Sequence, residues 1–192
     1  MLVNFIGPPG SGKSTLLTMF KEERDRYGLD IVCVSIDQSR RLFLGDEEKA
    51  WDNIVYACKR YNHCIFESSG MSWRIRGQLL AYPVIRERGC ETIILYGRDK
   101  EFLRRIQTRE KPPVPFLYKN LTEESLIEYA ATNLPNRYPT AFMIPSDDRA
   151  SLQETYISFK RVITQIYQPF LPNLREVLLG DSSINNGPVS SV

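Results

Sequence analysis

Hydrophobic residues recur along the chain with two alternating periods. Short apolar runs are each followed by a longer stretch in which apolar positions recur every three or four residues. The runs are typical of buried strands, and the longer stretches are typical of amphipathic helices. Strands are predicted over residues 1–6, 30–36, 63–66, 92–96 and 140–144. Helices are predicted over residues 14–24, from 46, over 73–88 with an interruption at Pro83, from 99, from 122 and over 149–168.

This alternation predicts an α/β fold with a mostly parallel five-stranded sheet and helices on both faces. Parallel neighbours need long crossover connections, which are usually helices, and ligands gather at the carboxyl ends of such strands. Residues 1–179 are predicted to form one domain. Residues 180–192 are rich in Ser, Asn and Gly, so we expect them to be a disordered tail.

Composition narrows the class of protein only a little. The chain has 192 residues, of which 42% are hydrophobic, and its net charge of +2 permits a nucleic-acid partner without requiring one. No apolar run approaches the roughly 18 residues that span a bilayer, and no signal peptide is evident. We therefore expect a soluble, cytoplasmic protein without a membrane partner. The four cysteines lack metal-ligand spacing, which favours reduced thiols.

Residues 7–14 form a complete phosphate-binding loop between the first strand and the first helix. Its glycines let backbone N–H groups converge on phosphate oxygens, Lys13 adds charge, and the Ser14 hydroxyl ligates Mg²⁺. The loop predicts binding of ATP with Mg²⁺. The residues expected to bind the nucleotide here are Gly7, Pro8, Pro9, Gly10, Ser11, Gly12, Lys13, Ser14 and Thr15.

Carboxylates are predicted at the ends of two strands. Glu67 closes an apolar strand and is a candidate Mg²⁺ ligand beside Ser14, although a helix cap is an alternative. Asp37 ends the second predicted strand and could accept a hydroxyl proton. Arg40 and Arg41 follow it and could grip the acceptor's phosphate, the alternative being a capped turn with solvated arginines.

A third group of polar residues lies in two later segments. Arg105 and Arg109 are four residues apart on one helix face, ahead of the proline-rich residues 111–115, and resemble a lid that points at triphosphate oxygens. Trp73 and Arg74 could stack on a base or contact backbone phosphates of the acceptor. A packing role for Trp73 is the alternative.

These groups together resemble the P-loop kinase family that includes the phage-type polynucleotide 5′-hydroxyl kinases. The likeness extends to about Leu126. It is carried by the phosphate loop at residues 7–14, by the D-x-x-R element Asp37-x-x-Arg40, and by the lid element Arg105-x-x-x-Arg109 with the prolines that follow.

The resemblance implies a role for each matching residue. By resemblance, Asp37 is the general base, Arg40 binds the acceptor's phosphate, and Arg109 with Lys13 clamps the donor phosphates. The chain departs from the family at the third strand end, where the family commonly has Asp and this chain has Glu67.

Several functions remain open on the sequence. We expect an ATP-dependent kinase that phosphorylates a hydroxyl of a nucleic acid, either a 5′-hydroxyl end or a hydroxymethylated base in DNA. A small-molecule, nucleoside or nucleotide kinase is the alternative. A nucleotide-hydrolysing switch is disfavoured, because no guanine-reading N-K-x-D element is evident and Asp37 would have no use.

Overall fold

The computed structural model describes residues 1–70, 83–108 and 123–180. Its strands are β1 (Leu2–Ile6), β2 (Val32–Ser35), β3 (Cys64–Ser68), β4 (Cys90–Tyr96) and β5 (Phe142–Pro145). Its helices are α1 (Lys13–Tyr27), α2 (Ile36–Leu42), α3 (Glu47–Arg60), α4 (Pro83–Arg88), α5 (Asp99–Gln107), α6 (Glu123–Arg137), α7 (Leu152–Tyr167) and α8 (Leu174–Leu179). None of these helices is both long enough and apolar enough to cross a bilayer.

The five strands form one parallel sheet in the order β2-β3-β1-β4-β5. Strand β1 is central and fully buried, with Phe5 opposite Glu67 on β3 and Ile93 on β4. On the other side of β3, Ser35 is opposite Glu67. The carboxyl ends of β1, β2 and β3 therefore lie at one edge of the sheet, which is where the phosphate loop begins.

Helices cover both faces of the sheet, as predicted. On one face, Phe159 of α7 packs against Phe5 of β1 and Phe20 of α1, with ring centroids 4.8 Å and 5.8 Å apart. On the other face, Trp51 and Ile54 of α3 pack in a cluster with sheet residues that include Leu2 and Phe66. Each face thus has its own apolar cluster, as a buried parallel sheet requires. The predicted fold class is confirmed.

Helix α2 is the main departure from the predicted elements. The second strand ends at Ser35, so Asp37 is not at a strand end but in the first turn of a short helix. Ile36 is buried beside α3, and the Ser39 hydroxyl donates to the Ser35 carbonyl at 3.0 Å. The helix was not predicted, because its few apolar residues show no helical periodicity in the sequence. Its packing against the rest of the protein stabilises it instead.

Other boundaries differ by a few residues or lie outside the described ranges. Strand β3 includes Glu67 and ends one residue later, and α6 extends to Arg137 although we expected only a short helix from residue 122. Helix α8, whose Leu174 and Leu178 are buried, was not predicted. Most of the helix predicted over residues 73–88, the proline-rich segment and the tail beyond residue 180 lie outside the described residues.

Candidate active site

The phosphate loop follows β1 at the centre of the sheet and turns sharply. Gly10 has a φ of 81°, in the left-handed region, and a Cβ atom there would lie 2.5 Å from the carbonyl oxygen of Phe102 on α5. Only glycine meets both conditions without strain, because it has no Cβ. The loop is therefore packed directly against α5, the helix that carries Arg105.

The amino terminus of α1 has backbone donors that no side chain caps. Gly12 is the N-cap, no side chain caps the helix, and the first turn contains no acidic residue. The first N–H groups of a helix lack partners within the helix and carry partial positive charge. Ser14 and Thr15 are exposed in this first turn. Such a terminus fits an anion such as a phosphate group.

Lys13 is held inside the loop and not extended into solvent. Its ammonium group donates to the carbonyl oxygens of Gly7 at 2.8 Å and Pro8 at 2.9 Å, and to the Ser11 hydroxyl at 3.4 Å. The residue is only 8% exposed. Its charge is therefore positioned within the loop by these three contacts.

Glu67 lies beneath this loop and is 2% exposed. One carboxylate oxygen accepts a 2.5 Å hydrogen bond from the Ser35 hydroxyl, and the other is 4.0 Å from the ammonium nitrogen of Lys13. Burial raises the pKa of Glu67, whereas Lys13 and Ser35 oppose the rise. Glu67 is therefore a buried oxygen donor beside the phosphate loop, and a carboxylate oxygen is a ligand type that Mg²⁺ accepts.

Asp37 lies close enough to Glu67 that its negative charge contributes to the raised pKa of that group. Its carboxylate accepts from Arg40 at 3.0 Å, and its side chain is 48% exposed. The first turn of α2 thus presents a solvent-accessible carboxylate on the same edge of the sheet as the phosphate loop. This placement is compatible with the predicted role in proton acceptance.

Arg40 has a second partner that the sequence did not point to. Its Nε and Nη2 atoms donate to the two carboxylate oxygens of Glu47, each at 2.8 Å. The indole N–H of Trp51 donates to the same carboxylate at 2.9 Å. Burial would lower the pKa of Arg40, but hydrogen bonds and charge from Glu47 and Asp37 raise it. Only the packing of α2 against α3 brings Glu47 to Arg40, so no sequence motif could have identified it.

Arg105 is placed beside the phosphate loop. Its Nε donates to Glu101 at 2.9 Å and its Nη1 donates to the Ser146 carbonyl at 2.5 Å, which joins α5 to the segment after β5. With Gly10, Gly12 and Thr15, Arg105 lines a cavity of about 370 Å³. The rest of its lining is Ser11, Leu16, Ser146, Ala150, Leu152 and Thr155.

The segment after β5 is shaped by Asp147, whose side chain is fully buried. Its carboxylate accepts from the Arg149 guanidinium at 2.8 Å and from the backbone N–H of Arg98 at 2.8 Å. These hydrogen bonds, led by the one from Arg149, lower the pKa of Asp147 to about 2. Asp147 thereby holds one wall of the cavity in place.

The roles of the remaining predicted site residues stay predictions. Arg41 is exposed on α2, where it is accessible to a ligand. Arg109, Trp73 and Arg74 lie outside the described residues, and their predicted roles stay predictions. In the ranges 1–70, 83–108 and 123–180, no three His, Cys, Asp or Glu side chains gather as a preformed metal site.

Known proteins provide a comparison at the level of the fold. No family model matches the chain, and no curated protein matches it. Among solved structures it is similar to a shikimate kinase from Bacteroides thetaiotaomicron, with 13% identity, a TM-score of 0.56, and coverage of 88% of this chain and 98% of that one. A gluconokinase from Sinorhizobium meliloti 1021 has 15% identity, a TM-score of 0.48, and coverage of 88% and 96%.

A chain of the Pnkp1/Rnl/Hen1 RNA repair complex is also similar. It has 22% identity and a TM-score of 0.52, and the match covers 71% of this chain and 44% of that one. The shikimate kinase and the repair-complex chain, together with the parallel sheet and its phosphate loop, define the class of fold. The chain has the P-loop kinase fold.

Proposed function

We propose that this protein is an ATP-dependent kinase that transfers the γ-phosphoryl group to a hydroxyl group, with Asp37 as the proton acceptor. One observation carries the proposal. An accessible carboxylate lies at the same sheet edge as a phosphate loop whose helix terminus is uncapped and whose lysine is already in place. Such a carboxylate can activate either an alcohol or water, and the transfer assay below separates the two.

The donor side of the site fits a nucleoside triphosphate. The open N–H groups of α1 and the Lys13 ammonium would bind its phosphate oxygens. The cavity beside the loop, with Leu16 and Leu152 as apolar walls and Arg105 at its side, would take the nucleoside. ATP supplies the phosphoryl group, and these residues bind it, orient it and balance its negative charge.

The oxygen donors available also fit Mg²⁺. This ion retains several waters and binds proteins through one or two oxygen ligands together with substrate phosphates. The exposed Ser14 hydroxyl and the buried Glu67 carboxylate are the residues that would hold it. A bound Mg²⁺ would offset phosphate charge, while Ser35 keeps Glu67 oriented through the 2.5 Å hydrogen bond.

On the acceptor side, Asp37 would accept the proton of the attacking hydroxyl as the new oxygen–phosphorus bond forms. The acceptor we propose is a hydroxyl of a nucleic acid, at a 5′ end or on a hydroxymethylated base. The motif likeness at Asp37 and Arg40 supports it. A small hydroxylated molecule is the second candidate, and it is favoured by the pairing of Arg40 with Glu47, which leaves less cationic charge for a polyanion.

Transfer of labelled phosphate distinguishes these possibilities. The protein, Mg²⁺ and γ-labelled ATP are incubated with 5′-hydroxyl oligonucleotides, with hydroxymethyluracil DNA, and with nucleosides, nucleoside monophosphates and hydroxylated metabolites. Label on an oligonucleotide supports the nucleic-acid acceptor, and label on a small molecule supports the second candidate. Release of label only as inorganic phosphate contradicts the kinase proposal.

The role of Asp37 is tested by Asp37→Asn. We expect loss of transfer by about a hundredfold or more with ATP affinity nearly unchanged, because a missing base affects the transition state more than the bound donor. Asp52→Asn, an exposed acid on α3, is the matched control and should transfer normally. A collapse of ATP affinity in Asp37→Asn would identify Asp37 as a metal or structural residue instead.

A further inference from the structure

All three guanidinium nitrogen atoms of Arg40 donate hydrogen bonds to carboxylates of the protein. Two of its nitrogen atoms face both oxygens of Glu47 at 2.8 Å, and a third faces Asp37 at 3.0 Å. Paired N–H donors on one carboxylate are the strongest and most directional arrangement that a guanidinium makes. The plane of the Arg40 guanidinium is therefore set by Glu47, and its remaining edge is directed at Asp37.

A further hydrogen bond restricts the orientation of the Glu47 carboxylate. It accepts from the indole N–H of Trp51, one turn along α3, at 2.9 Å. The side chains of Arg40 and Glu47 are each 19% exposed, so their attraction is less screened by water than that of a surface pair. The three side chains form a chain of contacts from Trp51 through Glu47 to Arg40, and this chain ends on Asp37.

We propose that Glu47 is a positioning residue that, through Arg40, fixes the Asp37 carboxylate for proton acceptance. Arg40 then serves the proton acceptor and does not act chiefly as a grip for an acceptor phosphate. This inference rests on the proposed kinase function and differs from the role that the family resemblance implies for Arg40.

Exposure and charge both support this assignment. The Asp37 side chain is 48% exposed, and among the described residues Arg40 is the partner that restricts it, so without Arg40 it would sample more rotamers. The group Asp37, Arg40 and Glu47 carries two negative charges and one positive charge. These three side chains by themselves have a net negative charge, so Arg40 contributes little unpaired positive charge for a second anion.

Kinetics of four variants test the assignment with the acceptor that the wild-type protein labels. Glu47→Gln should lower kcat by about tenfold to a hundredfold with little change in KM for ATP or acceptor, because a misplaced group lowers the rate without weakening binding. Trp51→Phe removes the indole N–H together with part of a buried ring system, and it should give a smaller decrease in kcat that thermal unfolding compares with any loss of stability. The double variant Glu47→Gln, Arg40→Ala should be no slower than Arg40→Ala, because Glu47 acts through Arg40.

Two kinetic outcomes overturn the proposal. If Arg40→Ala raises the acceptor KM with kcat unchanged, Arg40 grips the acceptor directly. If the effects of Glu47→Gln and Arg40→Ala on kcat multiply in the double variant, Glu47 does not act through Arg40. Thermal unfolding of each variant, measured alongside, identifies any loss of activity that comes from unfolding.

An NMR measurement that needs no enzymatic turnover tests this inference separately from the kinase proposal. In ¹⁵N-labelled protein, the Arg40 Nε–H should exchange slowly with water, and Glu47→Gln should abolish that protection and shift the Trp51 indole resonance. The matched control Glu48→Gln, at the exposed neighbouring position, should leave both signals unchanged. Rapid exchange of Arg40 Nε–H in the wild-type protein overturns the positioning role, whereas failure to label any acceptor overturns the kinase function.

Discussion

Replacement of Gly10 by Ala tests whether the phosphate loop depends on close packing against α5. The residue has a φ of 81°, and an added Cβ would lie 2.5 Å from the Phe102 carbonyl oxygen and 3.2 Å from Ile106 Cγ1. A backbone carbonyl within a helix cannot move aside as a flexible side chain can. The added methyl group must therefore displace either the loop or α5.

The loss of unfolding free energy expected for Gly10→Ala has two parts, backbone strain and steric overlap, which can be measured separately. A non-glycine residue in the left-handed region costs about 1 kcal/mol, and forcing extra volume into a packed contact costs about 2 kcal/mol more. For a chain of this size, a total of about 3 kcal/mol lowers the Tm by about 9 °C. Gly28→Ala is the matched control, because Gly28 has a φ of 62° and no atom within 4 Å of an added Cβ.

Thermal unfolding of the two variants by calorimetry, followed by ATP titration, measures both parts. Gly28→Ala should lose about 3 °C and keep the nucleotide affinity of the wild-type protein, because it lies at the far end of α1. Gly10→Ala should lose about three times as much and bind ATP more weakly, because its loop is displaced. Equal losses in the two variants would refute the proposed contact between loop and helix.

Two further changes test the loop lysine and the cavity wall. Lys13→Ala should abolish transfer to every acceptor, as measured with labelled ATP. Arg26→Ala, an exposed cation at the far end of the same helix, should transfer normally. Transfer by Lys13→Ala to any acceptor would contradict its role. Asp147 has a pKa of about 2 against an ordinary value of 3.8, so it stabilises the folded state above pH 4 and this stability is lost as the pH falls towards 2. Asp147→Asn should lower the unfolding free energy by about 2 kcal/mol at pH 7. The variant should also lose less stability than the wild-type protein as the pH falls below 4. An equal loss in both proteins would show that Asp147 does not cause it.

The phosphate loop could be predicted from the sequence, whereas several contacts around it could not. The phosphate loop is local in sequence, because its glycines, its lysine and the following helix are adjacent along the chain. Its placement after the central strand follows from the same local order. Asp37 and Arg40 were also named from the sequence as a D-x-x-R element, but their ion pair was not predicted, because Asp37 was placed at a strand end and not on a helix.

Contacts between different helices, or between a helix and a loop, could not be assigned in this way. Glu47 contacts Arg40 only because α2 folds back onto α3, and Arg105 contacts Ser146 across 41 positions of sequence. Contacts of this kind depend on how helices pack on the sheet, and hydrophobic periodicity does not encode which polar side chains then meet.

The sequence by itself determined the class of fold, the position of the phosphate loop and the candidate acids, because strand and helix periods and short motifs are local properties. Only the tertiary structure decided that Glu67 is buried beneath the loop against Ser35, and that Arg40 is turned towards Glu47 and Asp37. The physical reason is that burial and charge pairing arise when separate segments exclude water from one another, and that occurs only in the folded chain.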